Sequence, residues 1–331
     1  MKRIISAVLA AAICFCLCSC GKKEKKRSAT RVMMTTVVTV TIYGGSDEIL
    51  DGAMELCEHY ENLFSRTIDD SDVSNINLSG GSPVAVSHDT AELINESLEI
   101  SRDSGGAFDI TVLPLSELWD VEHNSAPPDD GLIAEAMSKV GLDQITVEND
   151  TVTLKAGASV DLGGIAKGYI ADKIRDYLRE NGVKSAIINL GGNVVLIGDN
   201  NGDQYTVGIQ KPFGKSGEAA ASLKLSDKTA VTSGIYERYF RVGDEIYHHI
   251  INPATGRPAS SDVASVTVIC ESSAVADGLS TACLCLGAEK SAALLKSYGA
   301  EAVFISRSGE LSLTDGLKID KSGDLPEIKF R

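Results

Sequence analysis

The sequence lacks both of the glycine-rich loops by which nucleotide sites most often show themselves. There is no G-x-G-x-x-G, so a dehydrogenase of Rossmann type is a poor fit. There is no G-x-x-x-x-G-K-[ST] either, because Lys167 precedes its glycine, Gly168, and a P-loop kinase fits no better. No Cys-x-x-Cys occurs among Cys57, Cys270, Cys283 and Cys285, and Cys283-Leu284-Cys285 reads as buried helix rather than a metal site. A Cys57–Cys270 bridge and free thiols both remain open. Basic residues are scarce: beyond residue 27 there are 24 against 45 acidic ones, a net charge of −21. A body that acidic is a poor nucleic-acid binder, and an anionic ligand would need local help from helix N-termini, a few cations or a metal. Internal repeats are absent.

No apolar run spans a bilayer comfortably. Ile4 to Leu17 follows the basic Met1-Lys2-Arg3 and has signal-peptide length. It ends in Leu17-Cys18-Ser19-Cys20-Gly21, a pattern that resembles a bacterial lipobox. Cys20 is therefore expected to be the lipidated (palmitate-type) N-terminus of the mature protein. Lys22 to Arg27 then form a basic tether suited to anionic headgroups. The boundaries expected are 1–19 for the signal, 20–31 for lipidated cysteine and tether, and 32–331 for one globular domain. Attachment to the extracytoplasmic face of the cell membrane is the expected location.

What the chain does contain centres on Asp161 to Lys173, DLGGIAKGYIADK. Val160 and Leu162 read as the end of a short strand, two glycines follow, and Ile165, Tyr169, Ile170 and Ile174 recur at helical spacing. A strand, a Gly-Gly corner and a helix aim backbone N–H groups and a positive dipole end at one point. Asp161 and Lys167 add one charge of each sign. A tight connection without a ligand is the competing reading.

Elsewhere, Thr35 to Tyr43 alternates as a strand, Asp47 to Phe64 and Thr90 to Ser104 read as helices, and Ser65 to Asn77 reads as a polar loop. After Gly105-Gly106, Phe108-Asp109 enters what reads as an extended run toward Leu115. A carboxylate in that apolar setting needs a partner, either in a loop cap or in a ligand. Tyr236 to Val242 and Glu245 to Ile251 read as a hairpin, so His248 and His249 face opposite ways and cannot easily share a metal. In the helix from Ser273 to Gly287, Asp277 and Thr281 lie one turn apart. A carboxylate with a hydroxyl suits Mg²⁺ or Ca²⁺, although an ordinary exposed helix face would look the same.

Taken in order, Met34-Thr35-Thr36, Phe64-Ser65 with Asn75-Ile76-Asn77, GGAFDITVLPL with Leu118-Trp119, DLGGIAKGY, NLGGN, SGIYERYF, HHIINPATGRP and ADGLSTA resemble the ApbE family of flavin transferases. The resemblance covers nearly the whole chain after the tether. It implies a mixed α/β (α+β) fold with largely antiparallel sheets, packed helices and a ligand cleft between two intertwined subdomains. It implies a Mg²⁺-dependent FAD:protein FMN transferase that moves FMN from FAD to a threonine or serine hydroxyl of a partner and releases AMP. The partner class implied is a flavin-accepting subunit of a membrane redox complex or another extracytoplasmic flavoprotein.

Carried over by motif position, the resemblance implies FAD contacts at Met34, Thr67, Ala107, Phe108, Asp109, Asp161, Lys167 and Ile251. It implies metal ligation by Asp277, Thr281 and the carbonyl of Gly164, with Asp277 and His249 as catalytic groups. Thr67 departs from the pattern, since many relatives have a tyrosine there that could stack on the ligand. A Mg²⁺-dependent FAD pyrophosphatase using the same site, and a lipid-anchored FAD-binding protein without catalysis, are the alternatives.

Overall fold

The computed structural model describes residues 24–215, 217–321 and 327–329. Cys20, the expected export signal and the start of the expected tether lie outside the described residues.

The chain opens with a hairpin, β1 (Lys26–Met33) and β2 (Thr36–Tyr43), followed by α1 (Asp47–Phe64), α2 (Asp72–Leu78), β3 (Val84–Ala85) and α3 (His88–Asp103). Next come α4 (Leu113–Trp119), α5 (Asp130–Met137), β4 (Ile145–Glu148), β5 (Thr151–Leu154) and α6 (Ala166–Glu180). The strands β6 (Ser185–Leu190), β7 (Asn193–Ile197), β8 (Tyr205–Gln210), β9 (Ala219–Leu225) and β10 (Thr229–Gly234) follow. Two small hairpins, β11 (Tyr239–Val242) with β12 (Glu245–His248) and β13 (Ile251–Asn252) with β14 (Arg257–Pro258), precede β15 (Val263–Cys270). The chain closes with α7 (Ser273–Leu286), α8 (Ala288–Ser297), β16 (Glu301–Ser306), β17 (Leu311–Leu313), β18 (Ile319–Lys321) and β19 (Glu327–Lys329).

A nine-stranded sheet, ordered β1-β2-β6-β7-β10-β15-β16-β17-β19, forms the spine. It is antiparallel except for the β17–β19 edge pair. Its two faces are both covered, which alternation along the strands makes possible. Val266, Val268 and Phe304 point into the main core with α1, α6 and α7, whereas Ile269, Val303 and Ile305 pack on the three-stranded β18-β9-β8 sheet. The mixed fold with antiparallel sheets expected from the sequence is the fold observed. A third, smaller core around Trp119 joins α4 and α5 to Phe240 and Ile251. The cleft described below runs between this satellite and the main body.

Several local expectations change. Lys26 to Arg31, read as tether, already pair with β2, so the sheet begins inside that segment. Asp72–Leu78 is helical within the expected loop, because Ser71 accepts a hydrogen bond from Ser74 N at 2.9 Å and caps it. The run after Asp109 is helical rather than extended. Asp109 Oδ1 accepts from Thr111 N (2.8 Å) and Thr111 Oγ1 (2.6 Å), and Pro114 suits a first turn. Val160 and Leu162 belong to no strand. The segment is held by Asn77, whose side chain bonds Val160 through both O (2.9 Å) and N (2.7 Å), and by Asp161 N donating to Ile110 O at 2.8 Å. The four described cysteines are free thiols, so the bridge does not form. Among the described residues no helix is long and apolar enough to cross a membrane.

Candidate active site

The cleft floor is where α6 meets α7. Ser272 caps α7 by accepting from Val275 N (3.2 Å), and Asp172 of α6 reaches across to accept from Ser273 N (2.8 Å), Ala274 N (3.1 Å) and Ser272 Oγ (3.0 Å). A carboxylate at a helix N-terminus meets the dipole's positive end, so this contact fixes one helix against the other. One turn further, Asp277 is only 3% exposed. Its Oδ2 accepts from Gly168 N at 3.0 Å and lies 3.7 Å from Lys167 Nζ. The carboxylate is thus buried with a donor and a cation beside it, as burial of charge requires. The exposed-face reading of Asp277 and Thr281 is excluded.

The Gly-Gly corner supplies the opposite wall. Asp161 Oδ1 accepts from Gly163 N at 2.8 Å, its Oδ2 faces Arg66 Nε at 3.3 Å, and Lys167 Nζ donates to Gly163 O at 2.9 Å. A Cβ on Gly164 would stand 3.2 Å from the Phe108 ring and 3.6 Å from Thr281 Oγ1. Backbone therefore passes within reach of the hydroxyl where a side chain would crowd it. The donor set is hard oxygen: one carboxylate, one hydroxyl and one exposed peptide. Among the described residues no group of three or more His, Cys, Asp or Glu could cage an ion. An ion here would complete its shell from water and substrate oxygens, which is the habit of Mg²⁺.

The cleft has two joined lobes of about 240 and 660 Å³, the scale of a small-molecule site. Ala107, Phe108, Asp109, Asp161, Gly164, Lys167, His249, Ile251, Asp277 and Thr281 all line the first. Met34 and Thr67 line the second, which shares Asp161 and Lys167. Every FAD contact, metal ligand and catalytic group implied by the family resemblance is therefore at one cleft. Asp109 does two things at once, capping its turn and facing the first lobe, and burial raises its carboxyl despite the Thr111 hydrogen bonds. Met34 and Thr35 form the β1–β2 turn with φ of 51° and 55°, as a two-residue type I′ hairpin demands. Met34 N donates to Glu61 Oε1 at 2.6 Å, which ties this turn to α1.

The two histidines divide as their alternation requires. His248 is fully buried, and its Nε2 donates to Ala259 O at 3.0 Å. His249 faces the cleft, and its Nδ1 lies 3.3 Å from Arg238 O, an atom that can only accept. That fixes the proton on Nδ1 and leaves the Nε2 lone pair free. Burial, helped by the Arg238 charge, pushes this imidazole down to about 3, so it is neutral at any ordinary pH.

The sequence reading did not single out Arg66, Asn193, Glu237 or Arg238, all of which line the cleft. The last three stand inside quoted motifs. Arg66 had no local signal, because its partner Asp161 is distant in sequence.

A cleft with a hard-oxygen corner, a cation beside it and a neutral histidine on the far wall defines a class: α+β proteins with a built small-molecule site between a main body and a satellite core. Comparison with known proteins makes that class specific. A model of the ApbE family matches residues 34–304. The chain is 33% identical over 293 residues to the FAD:protein FMN transferase of Klebsiella pneumoniae (strain 342), covering 87% of this chain and 91% of that one. It is 37% identical over 276 residues to that of Treponema pallidum (strain Nichols), covering 77% and 76%. The crystal structure of an ApbE protein from Thermotoga maritima superposes with a TM-score of 0.79 at 30% identity, covering 90% of this chain and 97% of that one. The flavin transferase ApbE of Vibrio cholerae gives 0.78 at 27%, covering 91% and 98%. The chain belongs to the ApbE family.

Proposed function

We propose that the protein is a Mg²⁺-dependent FAD:protein FMN transferase. FAD is the donor substrate, and a threonine or serine hydroxyl of a partner polypeptide is the acceptor. The hydroxyl oxygen forms a bond to the FMN phosphorus while the bridging P–O bond to the adenylate breaks. AMP leaves with the electron pair of that bond, the hydroxyl proton is taken up, and FMN remains as a phosphoester.

Each part of the cleft has a task in that step. Gly164 and the start of α6 present backbone N–H groups and a helix dipole to the pyrophosphate. Lys167 adds a positive charge there. Asp277, Thr281 and the Gly164 carbonyl are the residues that would hold Mg²⁺. The ion would supply neutralisation of the charge that builds up on the transferring phosphoryl group. His249 takes the acceptor proton at Nε2, the nitrogen left bare by its Nδ1–H to Arg238 O. The observation that carries the reading is Asp277, a buried carboxylate one helical turn from Thr281 and hydrogen-bonded to the first turn of α6.

Cys20 would anchor the protein by acyl chains to the extracytoplasmic face of the membrane. The support for this is the basic, apolar and small-residue pattern that precedes Cys20. Acceptors would then be membrane redox subunits or other extracytoplasmic flavoproteins.

AMP release from FAD, assayed with and without Mg²⁺, tests the site. The reading requires release that depends on Mg²⁺ and is lost in Asp277→Asn. Release unchanged by chelator would sink it. Release that stays equally fast whatever acceptor is added would favour the hydrolase.

A further inference from the structure

A cluster of aromatic side chains stands beside the cleft mouth and takes no part in the site above. Phe213, in the loop between β8 and β9, is 45% exposed, and Tyr239, at the start of β11, is 37% exposed. Their rings meet edge to face at 5.6 Å and 80°, and Tyr236 packs against Phe213 at 6.0 Å and 65°. The Arg241 guanidinium lies 5.4 Å from the Tyr239 ring and 5.8 Å from the Phe213 ring. One exposed aromatic needs no explanation. Here the backbone holds Phe213 at φ 57°, a left-handed conformation that is unfavourable for a non-glycine residue.

Two further observations say what would bind. The cluster is continuous with the catalytic wall: Glu237 and Arg238, between Tyr236 and Tyr239, line the cleft. The Arg238 carbonyl accepts from His249 N at 3.1 Å and from its Nδ1 at 3.3 Å, so the rim lies one residue from the anchor of the base. The charge is also out of character. In a body with 45 acidic and 24 basic residues beyond residue 27, Arg241 is in no carboxylate ion pair among the described residues, whereas Arg238 has the charge of its neighbour Glu237 beside it. An arginine stacked on rings keeps its N–H edges for a carboxylate, and aromatic residues with arginine are what binding hot spots are made of.

We infer that the Phe213–Tyr239–Arg241 rim is the docking surface for the acceptor polypeptide, which binds as a segment carrying carboxylates next to its threonine or serine. This rests on the transferase reading and adds to it a recognition element outside the cleft. The acidic surface elsewhere repels such a segment, and the arginine-capped rings receive it with its hydroxyl toward His249.

The test uses the full-length protein in detergent and two dye-labelled threonine peptides of equal length. One has aspartates beside the threonine, and the other has lysines in those places. Fluorescence anisotropy gives their affinities, mass spectrometry reads FMN attachment, and FAD binding and AMP release are followed separately. The expected result is a preference of about ten-fold for the acidic peptide. That preference is lost or reversed in Arg241→Glu, and affinity falls about ten-fold in the pair Phe213→Ser with Tyr239→Ser. FAD binding, and the basal AMP release measured without any peptide, stay at wild-type levels in both variants, which shows that the fold is intact. Equal affinity for the two peptides, no binding of either, or an Arg241→Glu protein that keeps the preference overturns the docking surface. Peptides that bind as expected but never gain FMN while AMP is released support the surface and overturn the transfer reading instead.

Discussion

Gly168 of α6 and Ser273 of α7 approach so closely that a Cβ on the glycine would lie 2.2 Å from the serine carbonyl oxygen. The same glycine donates its N–H to Asp277. One residue therefore sets both the spacing of the two helices and the aim of the carboxylate at the centre of the site.

Gly168→Ala should force the helices apart. Overpacking of this kind costs about 1–3 kcal/mol, so a drop in melting temperature of several degrees is expected, together with loss of Mg²⁺-dependent AMP release. Gly131→Ala is the control, because α5 leaves open space there and a helical alanine is favoured. Thermal melts of the two variants decide it. Equal melts would show that the close approach does not hold the helices.

Replacing His249 by Gln should lower transfer by roughly 10²–10⁴, the usual scale for a general base. Because the imidazole sits near 3, kcat/KM of the wild type should stay level from pH 5 to 8. An acid limb centred near 6.5 would mean that His249 titrates as an ordinary histidine and is not held as described.

His248 predicts a stability effect rather than a catalytic one. Burial lowers its imidazole to about 4, against 6.5 when unfolded. Unfolding therefore takes up a proton between those values. The stabilisation is complete above pH 6.5 and is lost as pH falls toward 4, on the order of 3 kcal/mol in all. Asp109 and Glu96, both raised by burial, act in the opposite sense, so the readout is the difference between wild type and His248→Gln. Melting temperatures from pH 7.5 to 4.5 should fall less in the variant. Parallel curves would contradict the assignment.

Thr67 lies on the second lobe with its hydroxyl 3.1 Å from Ser65 Oγ. Thr67→Tyr supplies a ring for stacking on FAD. A gain of about 0.5–1.5 kcal/mol, or roughly two- to ten-fold in affinity, is expected from flavin fluorescence quenching. No change would place the flavin ring system away from this wall.

Long periodic segments were legible in the sequence because burial alone decides them. The helices α1 and α6 and the wholly buried strand β15 follow directly from spacing and apolar runs. Elements that rest on side-chain to backbone bonds were not. Asn77 substitutes for a neighbouring strand beside Val160, and Asp109 turns an apparent strand into a capped helix. Neither bond has a local pattern, since the partners meet only in the folded chain or act through one short contact. Strand β1 was hidden by its polar composition, which an edge strand tolerates. The site was legible in a different way. Spacing singled out the Gly-Gly corner and put Asp277 and Thr281 on one helix face, while the metal role expected of that pair, His249 and the expected FAD contacts came from the ordered motifs. The pairing of Arg66 with Asp161 needed the fold.

The most direct test is the mass of an acceptor. The full-length protein, FAD, MgCl₂ and a candidate extracytoplasmic flavoprotein subunit are incubated, and acceptor mass and AMP are measured together. The account predicts an acceptor heavier by one FMN phosphoester on a threonine or serine, AMP in equal amount, and neither product with Asp277→Asn. AMP formed at full rate while the acceptor mass never changes, for every hydroxyl-bearing acceptor offered, would contradict transfer and identify the protein as an FAD pyrophosphatase.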